Sequence, residues 1–202
     1  MKWSDTGGGD FEQPPIGTHM ARCVRVIDIG TQRGEWQGKA TTRRQCIIAW
    51  ELPTELMSEG ELAGKPFLVS RWVTASLGKK ANLRAMLENW RGREFTEDEL
   101  SGFESKNILG SGCMLSLTAT EKGKPKVSGV MALPKGMELP SQVMPSIYFS
   151  LDQFDAAVFD SLSEGLRKII ALTPEYVQAT KPLGQGPKPA GGFDDMDDDI
   201  PF

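Results

Sequence analysis

Basic and aromatic side chains alternate through the first half of the chain. Arg33, Trp36 and Lys39 share one glycine-rich stretch, and Arg43 and Arg44 follow it directly. Arg71 and Trp72 are adjacent, Lys79 and Lys80 come next, and Lys124 and Lys126 add a later basic point. A single-stranded polynucleotide asks two things of a protein: cations along its phosphates and flat faces for its unstacked bases. This interleaving offers both. Trp50 and Trp90 read differently. Trp50 alternates with Cys46 and Ile48, and Trp90 follows Leu83, Met86 and Leu87 at helical spacing, so both are expected in a core.

Other chemistry is poorly supplied. His19 is the single histidine, at the start of an apolar stretch, which leaves no Ser/His/Asp or Cys/His set without it. Cys23, Cys46 and Cys113 are odd in number, far apart and set among apolar residues, as buried free thiols are. "GEWQGKA" and "GELAGKP" each hold three residues between glycines where a phosphate-binding loop needs four, and neither goes on to Ser or Thr. "LGSGC" precedes a strand rather than a helix. The acids at 94–99 fit the first turn of a helix better than a metal site. No catalytic residue, metal or cofactor is expected.

Charge is distributed unevenly. The formal net charge is −4, yet Asp194, Asp195, Asp197, Asp198 and Asp199 sit together near the end with no base among them. From Arg22 to Arg93 there are 13 Lys and Arg against seven Asp and Glu. A mildly basic body thus carries an acidic tail, which suits a polyanionic partner, with a solvated charged surface as the plain alternative. No apolar run approaches the roughly 20 residues of a membrane span. The first residues have no apolar signal core, so the cytosol is the expected compartment.

These residues need elements to hold them. "THMARCVRVIDI" (18–29) has strand character, "GTQRGEWQGKATT" (30–42) reads as a long hairpin loop, and "RRQCIIAWEL" (43–52) as a second strand closed by Pro53. Residues 65–76 form a third strand. The period then becomes helical over 79–90. Thr96 with Glu99 fits a capping box for a second short helix. Strands four and five are expected at 112–121 and 126–133, around a "KGKP" turn. Three strands, a helix and two strands is the order of an OB-fold, a five-stranded Greek-key barrel with a helix between strands three and four. The fold class expected is therefore mainly β.

The OB-fold region spans 1–150, with an irregular lead-in. Residues 145–151 add a short strand. Over 151–179, Phe154, Val158, Leu162, Leu166, Ile169 and Ile170 suggest two short helices. Ser150 and Gln153 offer a capping box, and the helices would pack on the barrel or on a second subunit, leaving a homo-oligomer open. Residues 180–193 are a Pro/Gly-rich flexible linker and 194–202 an acidic tip.

The ending "DDDIPF", Asp197-Asp198-Asp199-Ile200-Pro201-Phe202, resembles the acidic tip of bacterial single-stranded DNA-binding proteins. The body, "GTHMARCVRVIDIGTQ…WELP", resembles phage-encoded single-stranded DNA-binding proteins over roughly 10–175. The resemblance implies an OB-fold, a role in phage DNA replication, recombination or repair inside a bacterial cell, and docking of host replication and repair proteins by the tip. Phe202 suits a small apolar pocket, its carboxylate a basic rim, and the aspartates steer the approach. The tip also suits the chain's own basic groove. Two other readings stay open: a mediator that anneals complementary strands, and a decoy that occupies host proteins through the tail.

Overall fold

The computed structural model describes residues 12–36 and 38–181, with Trp36 described by its backbone alone. The start of the lead-in, the linker from 182 and the acidic tip lie outside the described residues. Six strands form one sheet: β1 (Gly17–Trp36), β2 (Lys39–Leu56), β3 (Pro66–Thr74), β4 (Gly112–Ala119), β5 (Pro125–Met131) and β6 (Ile147–Phe149). Between β3 and β4 lie α1 (Asn82–Arg91) and α2 (Glu97–Gly102); after β6 come α3 (Ala156–Ser161), α4 (Glu164–Ala171) and α5 (Pro174–Ala179). The sheet order is β3-β2-β1-β4-β5, antiparallel throughout, and β6 joins β1 in parallel. The fold is mainly β. No ladder among the described residues joins β3 to β5, although the two strands lie close together.

β1 carries the architecture. Its first part, Gly17–Arg22, pairs with β4; from Arg22 onward it pairs with β2; and Arg25–Ile27 also pairs with β6. Register shifts between Cys23 and Arg25 and between Asp28 and Thr31 bend it from one ladder to the next. At the second shift the Asp28 carboxylate accepts from the N–H groups of Gly30 (3.0 Å) and Leu151 (3.1 Å) and from Arg44 Nη2 (2.5 Å).

Several expectations are corrected. The long loop at 30–42 is instead a two-stranded ribbon, in register from Thr31↔Arg44 to Trp36↔Lys39. Thr31, Thr41 and Thr42 favour extended backbone. Gly38, at φ +74°, supplies the positive dihedral of a two-residue turn. Pro53 interrupts the β2–β3 ladder without ending β2, for the register breaks between Leu52 and Leu56. The capping box at Thr96 and Glu99 forms. The one at Ser150 and Gln153 does not: Asp155 caps α3 through the N–H groups of Ala157 and Val158, and Ser150 Oγ accepts from Asp152 N. Phe154 packs on Phe149 and Phe159 at 6.0 and 5.7 Å, which holds this stretch in a turn. Three helices follow β6 rather than two, the third opened by Thr173 and Pro174.

Two cores form because both faces of β1 and β2 are buried. On one face Ala21, Cys23, Val26, Ile48 and Trp50 meet Met86, Leu87 and Trp90 of α1 and Leu115 of β4. On the other, Ile27, Ile29 and Ile47 meet Phe149, Phe159, Leu162 and Ile170. The C-terminal helices therefore pack on this chain's own sheet. Trp50 and Trp90 are core residues, with ring centroids 5.8 Å apart, and Trp90 Nε1 donates to Gly112 O at 2.9 Å. The three cysteines are free. His19 is buried, 2.8 Å from Pro15 O and 3.2 Å from Glu55 Oε1.

Gly30 is a stringent position. It sits at φ +68°, and a Cβ there would lie 2.7 Å from the Oγ1 of buried Thr173, the α5 cap. Gly30→Ala is expected to cost at least about 2 kcal/mol in urea denaturation. Gly38→Ala, equally left-handed but with no described atom within 4 Å, should cost about 1 kcal/mol. Equal losses would show that the Thr173 contact carries no weight.

Candidate nucleic-acid interface

Strand period decides which β3 side chains are free. Phe67, Val69 and Val73 join the first core, while Leu68, Ser70 and Trp72 alternate onto the other face. Trp72 is 48% exposed, a large area of ring in water. Register sets Gln45 opposite Thr74 and Ile47 opposite Trp72, so β2 brings Arg43 and Gln45 to the same region. After β3 the chain turns: Gly78 N donates to Ser76 Oγ at 3.3 Å, and Ala81 N to Gly78 O at 2.8 Å. That turn sets Lys79 and Lys80 just ahead of α1.

The result is an open concavity of about 480 Å³ lined by Arg43, Gln45, Arg71, Trp72, Lys79 and Lys80 among others, with no carboxylate in its lining. Five of the residues singled out by sequence meet here. None of its four cations forms an ion pair with a described residue. Elsewhere Arg84 binds Glu88, Arg91 and Arg93 bind Glu99, and Lys168 binds Glu164. The paired guanidiniums of Arg93 and Arg91, with the Thr96 N–H, hold the Glu99 carboxyl down at about 2.

The remaining sequence candidates lie apart. Arg44 lies on the opposite face of β2, where it binds Asp28 at 2.5 Å and Asp152 at 2.9 Å. The hydrogen bond it donates to Asp28 raises its pKa further above the ordinary arginine range. Arg44 fastens β2 to β1 and to the segment after β6, and its charge is already balanced. Arg33 and Lys39 are exposed on the ribbon; the Trp36 side chain lies outside the described residues. Lys124 and Lys126 are exposed on the β4–β5 hairpin. Leu117↔Gly17 puts that hairpin at the opposite end of β1 from the ribbon.

Sequence reasoning missed Arg25. It pairs with Ala49, which pairs with Ser70, so a half-buried arginine lies in register with β3 two strands away. Its Nε is buried without a hydrogen-bond partner among the described residues. A basic residue between Val24 and Val26 was the available signal. A second cavity of about 460 Å³ was not foreseen at all. Cys46, Leu77, Leu83, Phe103 and Tyr148 line it, with Arg44 and Asp152 at one side. Burial pushes the Cys46 and Cys23 thiols up to about 12 and the Cys113 thiol higher still, so none is a ready nucleophile. Among the described residues no group of three His, Cys, Asp or Glu side chains is placed to hold a metal ion, and no helix is long and apolar enough to cross a membrane.

Compared with known proteins, the chain matches no family model and no curated protein.

The division between Arg43 and Arg44 is open to measurement. Arg44→Ala should lower unfolding free energy by about 1–3 kcal/mol, because it strips the partner from a largely buried carboxylate. Arg43→Ala should change it by no more than about 0.5 kcal/mol. Urea titrations giving the same loss for both would remove the distinction.

Proposed function

We propose that the chain is a non-enzymatic, non-sequence-specific single-stranded DNA-binding protein of the phage-encoded kind its sequence resembles. The observation that carries this reading is the concavity lined by Arg43, Arg71, Lys79, Lys80 and the exposed Trp72, with no acid among the described residues of its lining. Four cations without an ion-pair partner among the described residues suit phosphates. A half-exposed indole suits a base that is free of its own stack, which single strands offer and duplexes do not. Both groups address features common to every nucleotide, so binding without sequence preference follows. One stack contributes on the order of 1–3 kcal/mol, and micromolar affinity needs about 8 kcal/mol, so one ring must act with several phosphate contacts.

The same reading takes the sheet as an OB barrel. β1 is shared between two ladders, α1 lies between β3 and β4, and β3 and β5 at the ends of the sheet order lie close together. In such barrels ligands cross strands two and three, which is where the concavity lies. The chain would coat and protect single strands. Its acidic tip, with Ile200, Pro201 and Phe202 as anchor, would recruit host replication and repair proteins.

Oligo-dT is expected to bind more tightly than duplex of equal length, with affinity falling as salt rises. Arg71→Gln and Lys79→Gln should each flatten the log–log salt slope by about 0.7. Trp72→Ala should weaken binding by about tenfold. Deleting 194–202 should tighten binding at low salt. Equal affinity for duplex and single strand in a fluorescence titration would overturn the proposal.

A further inference from the structure

Among the described residues the ribbon formed by the ends of β1 and β2 has two open edges. β4 pairs with β1 only over Gly17–Arg22, β6 only over Arg25–Ile27, and β3 reaches β2 only from Gln45 onward. In an antiparallel ladder alternate residues turn their N–H and C=O toward the partner strand or away from it. The Thr31 N–H donates to Glu175 Oε2 at 3.0 Å, and the Arg44 C=O accepts from Ala75 N at 2.9 Å. Both groups point away from the β1–β2 ladder. Steps of two along each strand then point the backbone groups of Arg33 and Glu35 out of the β1 edge, and those of Ala40 and Thr42 out of the β2 edge.

An open edge is a template for another strand unless charge or shape prevents it. A two-fold pairing of β1 with β1 of a second copy has few registers. One centred on Arg33 or on Glu35 sets like charges face to face. One centred on Gly34 sets each Arg33 directly opposite Glu35 of the second copy, as the pair that exchanges both backbone hydrogen bonds. Arg33 and Glu35 are exposed, and neither forms an ion pair with a described residue. Gly34 on the axis leaves no side chain where the two backbones come closest, about 4.5 Å between Cα atoms. The β2 edge built the same way, about Thr41, sets Lys39 against Arg43, a like-charge contact that opposes pairing.

Thr31 N is already committed to Glu175, and Gln32 Nε2 donates to Ile29 O at 2.5 Å. The free ladder therefore begins at Arg33 and is short. The geometry points to a second copy of this chain as the occupant of that edge: a two-fold dimer joined along Arg33–Glu35 of β1, each Arg33 paired with Glu35 of the other copy. The β2 edges, with Lys39 and Arg43, then lie on the outside of a four-stranded ribbon. Arg33 is an interface residue in this arrangement rather than a phosphate contact. None of this depends on the chain binding DNA.

Sedimentation velocity on the full chain without DNA tests it, over a concentration series into the high-micromolar range at low salt. The wild type should show a reversible monomer–dimer equilibrium. Glu35→Arg and Arg33→Glu should each weaken it by about tenfold or more, since two attractive cross-strand pairs become repulsive. The double charge swap should restore it. Arg33→Pro removes an outward donor while leaving the β1–β2 ladder bonds, and should give monomer with an unchanged circular dichroism spectrum. A wild type that stays monomeric, or a dimer indifferent to Glu35→Arg, overturns the proposal. So does failure of the double swap to rescue dimerisation when both single variants remain folded.

Discussion

The fold turns on the Asp28 carboxylate. It sits where β1 shifts register and takes the N–H of Gly30, the N–H of Leu151 and the guanidinium of Arg44. A bulge leaves backbone groups without ladder partners, and in a buried strand those groups need replacements. Asp28 replaces one of them locally. It also binds the start of the C-terminal segment and the adjacent strand. The bend in β1, the position of β6 and the seat of the C-terminal helices therefore share one anion. Arg44 also holds Asp152, which pins the chain as it leaves β6.

That arrangement decides which side chains are left for a ligand. Burying both faces of β1 and β2 consumes most of the large side chains near them. Trp50 and Trp90 pack against each other at a tilt within one core; Ile27, Ile29 and Ile47 lie under the C-terminal helices. Cover over the second face stops at β3. Ile47 is buried while Trp72, its cross-strand neighbour, is about half exposed. An apolar ring left about half exposed at the border of a covered face is what a stacking platform needs.

Period and capping were legible in the sequence, since they depend on neighbours a few residues apart. The alternation of Cys46, Ile48 and Trp50, the helical spacing of Leu83, Met86, Leu87 and Trp90, and the Thr96–Glu99 box all appear where expected. The ribbon was not legible, because its glycines and polar residues have the composition of a loop while its pairing is set by register with the opposite strand. Arg43 and Arg44 are indistinguishable as a pair of letters. Their separation depends on Asp28, 16 residues away, and Asp152, 108 residues away. Sequence likewise grouped Lys124 and Lys126 with the ribbon residues, whereas the antiparallel pairing of β4 carries them to the other end of β1.

Sorting cations by partner says more than counting them. Arg84, Arg91, Arg93 and Lys168 each sit beside a carboxylate supplied by their own or the adjoining helical segment, and Arg44 beside two that are distant in sequence, one before it and one after. Among the described residues the concavity has four cations and no acid. Like charges gathered on one surface work against the compact state and raise the local potential, a cost that a polyanion removes on binding by releasing its own counterions. A surface meant only for solubility would intersperse the two signs, as the α1–α2 region does with Arg84, Glu88, Arg91, Arg93 and Glu99. The contrast between those two regions of one small chain, rather than its overall charge of −4, is what the proposal of a strand of phosphates as partner rests on.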